Sequence, residues 1–83
     1  MKLTNEQKGN NSSLKTGIKI LQNKLLRLGE GIVEREETVR LNQKVTHPIG
    51  AARILVAENE LMIHNAMVKQ LNICISVLED SLV

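Results

Sequence analysis

Eighty-three residues with no Trp, Tyr or Phe, a single cysteine and a formal net charge of +2 bound this chain to one small domain. They exclude an internal disulfide, the stacking platform of most single-strand nucleic-acid binders and the dense basic face of a DNA-binding domain. A core made of Leu, Ile, Val, Met and Ala, at about 1.5–3 kcal/mol per buried side chain, is small enough that self-association becomes the expected route to stability.

Residues 1–13 are polar, with Asn5, Gly9, Asn10, Asn11, Ser12 and Ser13 all poor in helix interiors. Within them, Thr4 and Gln7 have capping-box spacing and predict one short capped turn. There is no apolar leader segment, and no uninterrupted run approaches the ~18 apolar residues of a membrane span. A cytoplasmic chain is the expectation.

The second part, residues 14–83, carries two apolar stripes with 3,4 spacing, the signature of helices that pack along a seam. Leu14, Ile18, Leu21, Leu25, Leu28 and Ile32 form the first. They predict a helix over about residues 14–38, capped by Ser12 or Ser13. Gly29 and Gly31 mark a kink or a close crossing, each disfavoured by about 1 kcal/mol relative to Ala. Residues 39–47 lack periodicity and read as a connection. Pro48 then suits the first turn of a second helix over 48–80, with the stripe Ile54, Ala57, Leu61, His64, Val68, Leu71, Ile75, Leu78 and Leu82. The predicted fold is all-α: a helical hairpin of two long helices with a short N-terminal turn. At about 1.5 Å per residue the first helix reaches ~37 Å and the second ~50 Å. The excess leaves the strip from Val68 to Leu82 uncovered and predicts a homo-oligomeric bundle. Leu61, His64, Val68, Leu71, Ile75 and Leu78 are its expected seam.

Chemical motifs are sparse. His47, His64 and Cys74 have no zinc-type spacing, so no metal and no cofactor are expected. Cys74 sits in an apolar segment, where a thiol is unreactive and behaves as a buried aliphatic. Glu58 and Glu60 fall on different faces of a helix, and no nucleophile–base arrangement is readable; the chain is not expected to be an enzyme. His64, in a core-type position, reads as a hydrogen-bonded register residue, with a pH switch or an anion ligand in an oligomer centre as the alternative. Residues 1–46 hold nine Lys and Arg against five acids, and residues 47–83 two against four. The bases gather at Lys15, Lys19, Lys24 and Arg27. Thr16 and Lys19 on the first helix, with Thr46, His47 and Arg53 at the start of the second, read either as simple helix capping plus surface charge or as the residue types of a phosphate cradle.

The order Leu3-Thr4-Asn5-Glu6, Ile18-Lys19-Ile20-Leu21, His47-Pro48, Arg53 and Leu61-Met62 resembles that of small phage-encoded anti-CBASS proteins, helical-hairpin sponges for cyclic oligonucleotides. The resemblance implies a homo-oligomer, often a hexamer, that sequesters immune second messengers without cleaving them. Lys19 and Arg53 would contact phosphates, and Thr16, Thr46 and His47 would line the site. The chain departs from that pattern in having no aromatic residue to meet a nucleobase. The competing expectation is a regulator that binds a partner protein along an exposed helical seam, of the antitoxin, co-chaperone or lysis-regulator type.

Overall fold

The computed structural model describes residues 2–83. Two helices, α1 over Asn5–Asn42 and α2 over Pro48–Asp80, run antiparallel and are joined by residues 43–47. The molecule is a rod of 66 × 14 × 14 Å. Its radius of gyration is 19.3 Å, against about 12 Å for a compact domain of this length.

Thr4 does form the capping box: its side chain accepts from the Gln7 backbone, and Gln7 Oε1 accepts from the Thr4 N–H at 2.9 Å. That cap opens the whole of α1. Neither Ser12 nor Ser13 begins a new helix, so the division at residue 13 does not interrupt the chain's secondary structure. The polar segment stays helical because it lies against α2, and packing overrides propensity. Asn11 is buried there and clasps Val83, donating from Nδ2 to its carbonyl and accepting its N–H on Oδ1, both at 3.1 Å.

The seam of α1 keeps its 3,4 spacing through polar residues at both ends. It starts at Gln7 and Asn11, takes in the six predicted apolar positions, and continues through Arg35, Val39 and Asn42. The connection therefore shortens to five residues. His47 caps α2 by accepting the Ile49 N–H on Nδ1 at 3.1 Å, with Pro48 following in the first turn. Gly50 packs so closely on the loop that a Cβ would lie 2.8 Å from that of Val45. Gly29 and Gly31 do not break α1. Gly31 is instead a close crossing, where a Cβ would meet the His64 ring at 3.4 Å.

With 38 residues, α1 is the longer helix and covers α2 throughout. Leu61, His64, Val68, Leu71, Ile75 and Leu78 face it, and Leu78 Cδ1 lies 3.6 Å from where a Gly17 Cβ would stand. The expected unpartnered strip from Val68 to Leu82 is thus the intrachain seam. The core remains thin: among the hydrophobic side chains of the described residues only Ile18, Ala57 and Ile75 are buried, at 8%, 3% and 7% exposure.

Candidate binding surfaces

Residue levels along the rod follow from four contacts. Asn11 meets Val83, Gly17 meets Leu78, Gly31 meets His64 and Arg35 meets Glu60, so facing numbers add to 94 or 95. Arg53 is therefore level with residues 41–42 of α1. Lys19 lies 22–23 residues away, about 34 Å along the axis. The five residues expected to hold a phosphate fall into two groups at opposite ends. Thr16 and Lys19 border a groove near the free end with Leu3, Lys8, Ser12 and Lys15. Thr46 and His47 belong to the loop end, and Arg53 borders a separate groove there with Glu34, Arg35, Thr38 and Glu60. One chain does not bring Lys19 and Arg53 together.

The two groups also differ electrically. From Gln7 to Gly29, α1 carries Lys8, Lys15, Lys19, Lys24 and Arg27 and no acid. The groove at Lys19 is thus purely basic, although Thr16 already donates its hydroxyl to the Ser12 carbonyl at 3.0 Å. Arg53 faces two glutamates. One of them, Glu60, accepts a hydrogen bond from Arg35 Nε at 2.6 Å across the helices, and Arg35 also pairs with Glu34. His47 is occupied as a cap. His64 donates from Nδ1 to the Glu60 carbonyl at 2.7 Å and sits in the seam against Gly31.

The largest feature is one that stripe reading of the sequence passed over. A second 3,4 series, Ile49, Ala52, Val56, Asn59, Ile63, Ala66, Gln70, Ile73 and Val77, runs along the outer side of α2. Its apolar flanks are Leu55, Met62 and Met67. The large hydrophobic residues of this face are 46–70% exposed. Cys74 lies beside them and is exposed, not buried as the sequence suggested. The signal was present as a heptad offset from the first, but two overlapping stripes on one helix look like uniform apolarity. The same overlap gives α2 an 18-residue stretch of mean hydropathy 1.3, by length and composition enough to cross a membrane, although no uninterrupted apolar run of that length exists; 6% of that stretch is buried.

Comparison with protein-family models, curated proteins and solved structures finds no match to this chain.

Proposed function

We propose that this chain is a non-enzymatic binding module in which α1 stiffens and presents α2, and the outer apolar face of α2 docks other helices. The observation that carries this reading is the stripe from Ile49 to Val77, about 42 Å long. Its large side chains and their flanks stay 46–70% exposed, although Ala52 and Val56 also border a groove with Glu34, Arg35 and Thr38 of α1. Exposed apolar surface on this scale marks an interaction site, and amphipathic helices recognise such faces through anchors at 3,4 spacing. A homo-oligomeric bundle and capture of a partner protein both use this surface. Val56→Asp with Ile63→Asp tests it: association is lost because unpaired charge enters the interface, while helicity by circular dichroism stays as in the parent chain. Unchanged sedimentation of the variant, in a parent that self-associates or binds, defeats the reading.

A second reading, sequestration of cyclic oligonucleotides, is favoured by the acid-free groove at Lys8, Lys15 and Lys19. A ligand that also touches Arg53 has to bridge two copies. Lys19→Ala then weakens binding of a cyclic di- or trinucleotide about tenfold, roughly 1.4 kcal/mol. Calorimetry at low salt with no heat from any such ligand refutes it.

A further inference from the structure

We infer that the occupant of the outer α2 face is a second copy of this chain, docked antiparallel; the inference rests on that face being a docking surface. Two independent features identify the occupant.

The first is charge polarity along the rod. The free end holds Lys2, Lys8, Lys15, Lys19, Lys24, Arg27 and Lys69 against Glu6, Glu79 and Asp80, a net of +4. The loop end holds Arg35, Arg40, Lys44 and Arg53 against Glu30, Glu34, Glu36, Glu37, Glu58 and Glu60, a net of −2. Parallel docking places two +4 ends side by side. Antiparallel docking sets each basic end beside the partner's acidic end, which steers the encounter and fixes orientation.

The second feature is the pattern of the stripe. An antiparallel pair of helices forms layers between its alternating positions, so facing residues of the two copies share a constant sum of numbers. With the stripe in register, Val56 faces Ile73 of the second copy, Ile63 faces Ala66, and Ala52 faces Val77. The two polar interruptions then meet: Asn59 faces Gln70, whose amides offer each other donors and acceptors. A bilayer offers neither amide a partner. A second copy satisfies both without any change in the hairpin.

Disulfide trapping tests the occupant, the orientation and the register together. In a Cys74→Ser background, Val56→Cys and Ile73→Cys chains are prepared separately, then refolded together and oxidised. In the antiparallel register, like positions such as 56 and 56 stand about 26 Å apart, far beyond the ~7 Å limit for a disulfide. The mixture is expected to yield at least tenfold more covalent dimer than either chain alone, with the parent sedimenting as a dimer or an even-numbered assembly. Ala52→Cys mixed with Val77→Cys repeats the test at an independent layer, and circular dichroism confirms that each variant folds. Strong dimers from each chain alone overturn the antiparallel orientation. A monomer at micromolar concentration that yields no covalent dimer overturns the second copy as occupant, as does a monomer that floats with phosphatidylcholine–phosphatidylglycerol vesicles. The docking surface itself fails separately, when Val56→Asp with Ile63→Asp alters neither self-association nor vesicle flotation nor partner capture.

Discussion

Gly50 is the glycine on which the hairpin bend depends. A methyl group there meets Val45 Cβ at 2.8 Å, Cγ1 at 2.9 Å and the carbonyl oxygen at 3.1 Å, so Gly50→Ala forces the loop away from α2. The expected loss is about 1–3 kcal/mol, the scale of overpacking. Gly29 has nothing within 4 Å of the same added atom, and Gly29→Ala should stabilise by about 0.5–1 kcal/mol through helix propensity and a less flexible unfolded chain. Urea unfolding of the pair checks both signs. Glu37 provides a pH signature in the last turns of α1. Its hydrogen bonds from Arg40, and secondarily that cation's charge, hold its carboxyl below the ordinary value of 4.5. A lowered carboxylate pKa stabilises the fold at pH above the unfolded value, and the contribution disappears as pH falls through the folded one. Arg40→Ala should therefore move the Glu37 titration midpoint, followed by NMR, up toward 4.5.

At the scale of the helix, the two faces of α2 respond differently to the same chemistry. Leu71→Asp with Ile75→Asp places two charges in the thin seam against α1. Lys24 and Arg27 border the same groove as Leu71 and can meet the first charge. Ile75 is 7% exposed, so the second enters the apolar seam, where burying a charge is costly. The hairpin should lose most of its helical signal, whereas aspartates at Val56 and Ile63 leave it intact. Equal loss of helicity from both pairs contradicts the assignment of faces. The limits of α2 were readable because Pro48 suits the first turn of a helix and the stripe from Ile54 begins within two turns behind it. The limits of α1 were not. Its heptad phase passes through Gln7, Asn11, Arg35 and Asn42, side chains that register as surface when only apolar residues are counted. Asn11 becomes a seam residue through its hydrogen bonds to Val83, 72 positions away, and nothing local announces that. The separation of Lys19 from Arg53, by contrast, was legible. An antiparallel pair of helices over 14–38 and 48–80 already sets them about 14 residues, roughly 21 Å, apart along the axis, and the longer α1 only widens the gap.

Over the whole molecule, two ends of opposite sign on a slender rod predict that the proposed antiparallel assembly is sensitive to ionic strength. The Debye length shrinks from about 10 Å at 0.1 M salt to about 3 Å at 1 M, while the apolar burial of Val56, Ile63 and Ile73 that the proposed pairing brings is unaffected or strengthened. Association should therefore slow several-fold between 0.05 and 0.5 M sodium chloride, with little change in dissociation rate, because steering by net charge acts on the encounter. Stopped-flow mixing of labelled chains measures the two rates separately. A dissociation rate that rises steeply with salt, at a constant association rate, shows instead that ion pairs hold the assembled interface.

The antiparallel packing of α1 on α2 within one chain also predicts a sequence of events in folding. Only five residues separate the helices at the bend, so the first layer closes a short loop and each later layer adds to one already formed. The hairpin behaves as a zipper with its slider at Gly50 and its last tooth at the Asn11–Val83 clasp. Opening starts from the far teeth, so a protease that works on frayed chain meets the basic end first, long before it reaches the loop.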